Sequence, residues 1–125
     1  MKKRIFVSFA MEDETLKQLF CGQAKNAKVP YEFIDMSVKQ PWDSSWKTNC
    51  KLRIKSCDAM IVLVSENTEN ADGAIWEINC AKDLGLKIRG IYIKNGSILN
   101  KPSEMFGILC EEWTWENVKD FIEKA

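Results

Sequence analysis

The segment AMIVLVS, residues 59–65, is the sequence feature that most restricts the fold of this chain. An uninterrupted uncharged run rich in β-branched side chains is typical of a strand that is covered on both faces. Such a strand lies in the middle of a sheet, and helices are needed on both sides of that sheet. The segment therefore predicts an α/β protein with this strand at its centre.

Predicted strands and helices alternate along the remainder of the chain. Strands are predicted at 4–9, 31–35, 59–65, 87–93 and 108–110. Helices are predicted at 11–27, 46–57, 72–84 and 114–124, with a polar loop at 36–46. This alternation implies a mostly parallel, five-stranded sheet with helices on both faces. No repeat or linker interrupts the pattern, so residues 1–125 are expected to form a single domain.

The charge pattern excludes several classes of partner. Lysine and arginine number 18, aspartate and glutamate also number 18, and no long block of like charge occurs. Nucleic acid and anionic membranes are therefore not expected to bind. The acidic residues 12–14 interrupt the first apolar run far below the length of a signal peptide or a transmembrane helix. The sequence predicts a cytoplasmic protein.

Histidine is absent, and the five cysteines are widely spaced. These features exclude Ser-His and Cys-His nucleophile systems and disfavour transition-metal sites, so no metal is expected. The cysteines are predicted to be reduced and mostly buried. Any catalysis must depend on carboxylates, lysines, hydroxyl groups or a single thiol.

In parallel α/β sheets, ligands bind beyond the carboxyl ends of the strands. The loops that begin at Ser8, Asp35, Ser65 and Lys94 are therefore the candidates for a site. Rossmann, P-loop and flavin sites need glycines after the first strand, but the segment SFAMEDET has none. A phosphorylation receiver needs an aspartate at the end of its central strand, where this chain has Ser65.

Glu77 lies in an otherwise apolar part of the helix predicted at 72–84. At about 100° per residue, it falls inside the apolar arc. The residues three and four positions away are glycine, alanine or cysteine, so no cation can pair with it along the helix. Two interpretations follow. Glu77 reaches solvent or an arginine of another element, such as Arg53, or it is a functional carboxylate in a cleft.

The order of several short motifs carries a family resemblance. RIFVSFAMED is followed by FIDMSVKQPWDSSW, RIKSCDAMIVLVSENT, WEI and IYIKNG. In this order and spacing, the chain resembles the TIR-like family that includes the NAD-processing subunits of bacterial Thoeris antiphage defence. The resemblance implies a three-layer, flavodoxin-like (TIR-like) fold.

In that family the glutamate of the corresponding helix is catalytic, and Glu77 is its match. The resemblance implies an NAD glycohydrolase or ADP-ribosyl cyclase, with NAD as substrate rather than cofactor. Nicotinamide leaves a cationic pyridinium as a neutral molecule, so no general acid is required. Water as acceptor gives ADP-ribose, and a hydroxyl of the same molecule gives a cyclic isomer. A cyclic ADP-ribose-type product that activates a separate effector is expected.

The resemblance also implies a set of substrate-binding residues. Two of them end the first strand, and four lie in or beside the loop at 36–46, which is equivalent to the TIR BB-loop. In many TIR proteins this loop also contacts a neighbouring subunit. These residues are Ser8, Phe9, Asp35, Ser37, Trp42 and Trp46. All but Trp42 have a structural alternative: a strand-end cap or core ring for the first pair, turn formation for Asp35 and Ser37, and cover of the following helix for Trp46.

Two departures from the family pattern affect these expectations. Many TIR enzymes have a larger residue, often aromatic, where this chain has Gly73. The acidic residues 12–14 also give phosphates no local cation, so the pyrophosphate would need backbone amides or lysines such as Lys39 and Lys94. The alternative function is a non-catalytic TIR-type interaction scaffold, in which the loop at Pro41 and the helix face of Trp76 mediate association.

Overall fold

A computed structural model describes residues 3–27, 31–36 and 38–125, with side chains omitted at 24–27. Its strands are β1 (Lys3–Ser8), β2 (Tyr31–Ile34), β3 (Ala59–Val64), β4 (Lys87–Tyr92) and β5 (Cys110–Glu112). Its α-helices are α1 (Glu14–Ala27), α2 (Ser44–Lys55), α3 (Asp72–Asp83) and α4 (Trp115–Lys124). Short 3-10 turns occupy Met11–Asp13, Thr68–Asn70, Ile98–Asn100 and Ser103–Met105.

All strand pairs in the sheet are parallel, and the strand order is β2-β1-β3-β4-β5. This is the flavodoxin-like order, in which the chain reverses its direction of winding between β1 and β3. The predicted fold class is confirmed, and β3 occupies the centre as its composition predicted. A ligand site is expected beyond the carboxyl ends of β1 and β3.

Alternating side chains of the strands supply two apolar cores. Helices α2 and α3 cover one face of the sheet, while α1 and α4 cover the other. The first core includes Phe6, Ile54, Met60, Val62 and Ile78. The second includes Ile5, Phe20, Ile61, Leu63 and Ile122. Because every residue of β3 is buried, both faces of the strand exclude water, which explains its continuous apolar sequence.

The starts of three elements differ by two or three residues from the sequence prediction, and the other starts agree to within one residue. Helix α2 begins at Ser44 rather than at residue 46, because the Asp43 side chain accepts a hydrogen bond from the Trp46 amide at 2.9 Å and caps the helix. Residues 11–13 form a 3-10 turn before α1. The last strand starts at Cys110 rather than at residue 108, because the Ile108 amide closes a turn onto Met105.

No helix in the described ranges is long and apolar enough to cross a membrane.

Candidate active site

Glu77 lies on the inner side of α3, at the point where this helix passes the carboxyl end of β1. Its side chain is fully buried. The hydroxyl of Ser8, the last residue of β1, donates a hydrogen bond of 2.8 Å to Oε1 of Glu77. The structure therefore brings together the predicted catalytic residue and one predicted binding residue at the switch point of the sheet.

Lys39 is the cation that neutralises Glu77. Its Nζ lies 2.8 Å from Oε1 and 2.7 Å from Oε2, and only 6% of the residue is exposed. Neither solvent nor Arg53 compensates the carboxylate, because Arg53 donates instead to the backbone oxygen of Asp35 at 2.8 Å. The sequence-based suggestion that Arg53 pairs with Glu77 is wrong.

The stem of Lys39 reaches Glu77 across the backbone of Gly73. A Cβ atom at position 73 would lie 2.6 Å from the Cβ of Lys39, so any side chain there collides with the lysine. The Nζ of Lys39 also lies 4.3 Å from the centroid of the Phe9 ring, within the range of a cation–π interaction. The glycine that departs from the family pattern thus provides the space in which the lysine lies.

Burial dominates the electrostatics of this cluster. Desolvation raises the pKa of Glu77, while the Lys39 ammonium and the Ser8 hydroxyl oppose that rise. Desolvation and the nearby Glu77 charge also raise the pKa of the Cys50 thiol, whose sulfur lies 3.8 Å from Oε2. Cys50 is therefore protonated and unsuited to be a nucleophile. The buried cysteines Cys50, Cys57 and Cys80 agree with the predicted burial.

A cavity of about 240 Å³ opens next to this cluster. Its walls are residues 9–12, residues 70–74, and Lys39, Pro41 and Trp42. Glu77 and Ser8 are not part of the wall, whereas Lys39 belongs both to the wall and to the ion pair. In this conformation the lysine is therefore the link between the cavity and the carboxylate.

The predicted binding residues divide into two groups. Phe9 and Trp42 line the cavity, Trp42 being 77% exposed and the Phe9 ring lying beneath Lys39. Asp35 and Trp46 do not line it. Asp35 forms an ion pair of 3.2 Å with Lys17, and Trp46 is buried. Ser37 lies outside the described residues.

Trp46 supports the loop between β2 and α2. Its indole Nε1 donates a 2.6 Å hydrogen bond to the backbone oxygen of Val38. Its ring packs edge-on against Trp76, with the centroids 5.3 Å apart. These contacts favour a structural role for Trp46, which belongs to α2, holds the loop and packs against α3 through Trp76.

A second buried polar cluster lies at the carboxyl end of β3 and was not identified from the sequence. Asp13, which is 2% exposed, accepts hydrogen bonds from the Ser65 hydroxyl and from Asn67 Nδ2. The Thr68 hydroxyl accepts from the Ser65 amide at 2.8 Å. This cluster ties the turn after β1 to the end of β3. The segment SENT after a buried strand was the available signal, since serine and threonine side chains often bond to nearby backbone, as Ser65 and Thr68 do here.

Comparison with protein families identifies the domain. The family model for the TIR-like domain of the Thoeris protein ThsB matches residues 6–97, from β1 through the turn after β4. The chain belongs to this TIR-like family. The resemblance drawn from the sequence motifs is thereby confirmed, and membership supports a role in antiphage defence. No curated protein matched the sequence.

Two solved structures share the fold at low sequence identity. A designed Rossmann 2x3 protein superposes with a TM-score of 0.57 at 17% identity, covering 100% of this chain and 92% of the design. The CMP N-glycosidase BcmB of Clostridium botulinum superposes with a TM-score of 0.54 at 18% identity, covering 98% and 97% of the two chains. These similarities concern the arrangement of strands and helices.

Proposed function

We propose that this TIR-like domain cleaves the nicotinamide–ribose bond of NAD, with Glu77 as the catalytic residue. The observation that carries the proposal is the fully buried carboxylate of Glu77 at the switch point of the sheet, in a chain that has no histidine. Family membership and the adjoining cavity support it. A buried carboxylate beside a cleft is costly to maintain, and such groups cluster at functional sites.

The chemistry requires a negative charge and little else. When the C1′–N bond breaks, its electron pair neutralises the pyridinium nitrogen, nicotinamide leaves, and positive charge develops on the ribose. A carboxylate held in a dry site stabilises that charge, and one preorganised group of this kind contributes about 3 kcal/mol. Ser8 holds the carboxylate in position through its 2.8 Å hydrogen bond. Phe9 and Trp42 are proposed to contact the rings of the substrate.

The acceptor then determines the product. A water molecule that attacks C1′ and loses a proton gives ADP-ribose, whereas a hydroxyl of the same nucleotide closes a cyclic isomer. We propose a cyclic ADP-ribose-type product that activates a separate effector protein. The cavity of about 240 Å³ is smaller than the roughly 300–1,000 Å³ of typical small-molecule sites, which is consistent with a resting state that opens for substrate.

The decisive test compares wild type with Glu77→Gln in NAD cleavage. Both proteins are incubated with NAD, alone and in extract from phage-infected cells, and nicotinamide and nucleotide products are measured by mass and retention. Glu116→Gln is the matched control, because Glu116 is exposed on α4 across the sheet. CMP is offered in parallel as an N-glycoside with a neutral base. Cleavage of NAD that Glu77→Gln abolishes and Glu116→Gln preserves is expected; its absence in both settings rejects the enzyme.

The alternative is a non-catalytic interaction scaffold. It is favoured by the exposure of Val38 and Trp42, which present apolar side chains from the same loop. Self-association through that loop predicts that Trp42→Ser lowers the oligomeric mass in sedimentation experiments. If Glu77-dependent cleavage is absent and Trp42→Ser dissociates an oligomer, the scaffold is the better description.

A further inference from the structure

The position of Lys39 Nζ is a preformed cation site built from other parts of the chain. Both carboxylate oxygens of Glu77 lie within 2.8 Å of it, and the face of the Phe9 ring lies at 4.3 Å. Glu77 and Phe9 are completely buried. An aromatic face and a carboxylate shielded from water are the groups that proteins use to bind organic cations. Lys39 is thus an internal occupant of a site suited to a positive charge.

Lys39 can leave this site without a change in the fold. It lies in the connection between β2 and α2, outside any regular element. The residue before it is fixed by the Trp46–Val38 hydrogen bond, and the residue after it by the 2.9 Å bond from the Asp43 amide to the Gln40 oxygen. Rotation of the lysine side chain between these two fixed points would uncover Glu77 and the Phe9 ring.

Withdrawal of Lys39 leaves the Glu77 carboxylate buried and unpaired. A neutral ligand cannot compensate that charge, whereas a cationic ligand replaces both the ion pair and the cation–π contact. We infer that Lys39 is an internal competitor, which holds the site of Glu77 and Phe9 closed until a ligand with a cationic ring, such as a pyridinium, displaces it. The inference rests on the proposed function, since it explains how the site selects the oxidised, positively charged form of a nicotinamide nucleotide.

The test measures binding of two small rings and needs no bond cleavage. The cation 1-methylnicotinamide and neutral nicotinamide are titrated by calorimetry at pH 8 into wild type, Lys39→Met, Lys39→Met/Glu77→Gln and the control Lys55→Met. Lys55 is exposed on α2, so its substitution removes a charge remote from the cluster. We expect Lys39→Met to bind the cation more tightly than wild type does, by about tenfold or more. Nicotinamide should gain much less affinity than the cation, because it leaves the Glu77 carboxylate without a counter-charge, and the double variant should lose the gain for the cation.

Equal gains for both rings would overturn the inference, because they would show that Lys39 only blocks space. An unchanged affinity for the cation would overturn it as well. If Lys39→Met is poorly folded, Lys39→Gln retains a donor toward Glu77 without the charge, and the same preference for the cation is expected. A preference for the cation without NAD cleavage would reject the proposed enzyme but support the inference about Lys39. NAD cleavage without the preference would support the enzyme and overturn the inference.

Discussion

Lys39 and Glu77 illustrate how one buried ion pair makes stability depend on pH. Burial raises the pKa of Glu77, and the Lys39 charge opposes that rise, so Lys39→Met raises it further. A carboxyl whose pKa is higher in the folded than in the unfolded state stabilises the fold when protonated. That stabilisation is present below the unfolded pKa and is lost as pH rises through the folded pKa.

Lys39→Met is therefore expected to destabilise the protein little near pH 4 and by about 3 kcal/mol near pH 8. Urea unfolding of wild type and variant across this range measures the difference. The free energy of unfolding of Lys55→Met should differ little from that of wild type, and the difference should be the same near pH 4 and near pH 8. A deficit for Lys39→Met that is equal at both pH values contradicts the assignment of Glu77 as the group that titrates.

The same pair predicts strong non-additivity between substitutions. Glu77→Gln alone leaves the Lys39 ammonium without its counter-charge, so it either stays buried unpaired or gives up its contacts, at a cost of up to about 3 kcal/mol. Lys39→Met/Glu77→Gln removes both charges, so the double variant should be more stable than Glu77→Gln. Denaturant unfolding of the four proteins in this cycle gives the coupling energy. A double variant whose loss equals the sum of the single losses would show that the two side chains are not coupled.

Sequence reasoning identified one member of this pair. Glu77 was noticeable because a helix has a fixed period, which revealed a carboxylate among apolar and small residues. Lys39 lies in an irregular loop, where no period relates sequence position to direction in space. Its role depends on the missing side chain at Gly73, and this contact spans 34 positions of sequence, from 39 to 73. Pairing across such a distance is a property of the tertiary structure.

At the scale of elements, the turn after β4 depends on a close backbone approach at Gly96. The Gly96 amide donates to the Ile93 oxygen at 2.8 Å, and the Ile93 amide donates to Val64. A Cβ at position 96 would overlap the Val64 carbonyl oxygen and lie 2.7 Å from the Ile93 oxygen. Both oxygens belong to backbone segments that are hydrogen-bonded, so neither can move away without loss of those hydrogen bonds.

Gly96→Ala should therefore lower the free energy of unfolding by about 3 kcal/mol, at the upper end of overpacking effects. Gly22→Ala is the matched control, because nothing lies within 4 Å of a Cβ at that helical position. That control should be neutral or stabilise by about 0.5–1 kcal/mol, since alanine is the better helix former. Chemical denaturation measures both. If Gly96→Ala behaves like the control, this turn is more adaptable than its contacts indicate.

Prediction of elements succeeded where period and composition were strong. All five strands and four helices were anticipated, because the apolar runs are long and the polar segments between them are distinct. The predicted boundaries were wrong where the start of an element depends on a local contact. The start of α2 is set by the Asp43 cap, and the start of β5 by the turn onto Met105. Neither contact changes the periodic pattern from which the elements were predicted.

At the scale of the whole molecule, the strand order assembles the candidate site. The order β2-β1-β3-β4-β5 brings the end of β1, the loop after β2 and the start of α3 together. Alternation predicted a parallel sheet but not this order, because several orders are compatible with the same alternation. The family resemblance supplied the flavodoxin-like fold that composition alone left open.

In the complete molecule, the Lys39–Glu77 ion pair is expected to stabilise the fold and at the same time to hinder access of substrate to Glu77. With Lys39 in place, the buried carboxylate is paired and the protein is more stable, but a substrate must displace the lysine before reaching Glu77. Lys39→Met and Lys39→Gln should lower the urea midpoint at pH 8, and both should lower the KM for NAD by about tenfold, a difference of about 1.4 kcal/mol. Lys55→Met should change neither quantity.

Steady-state nicotinamide release and urea unfolding, measured on the same preparations, test this relation. The lysine competes with the substrate for one cation position, so its removal strengthens substrate binding at the expense of the resting fold. A variant that loses stability while its KM for NAD rises would show that Lys39 binds the substrate rather than excluding it. Lys39 would in that case be a partner for the phosphates, which the absence of a cation among residues 12–14 first suggested.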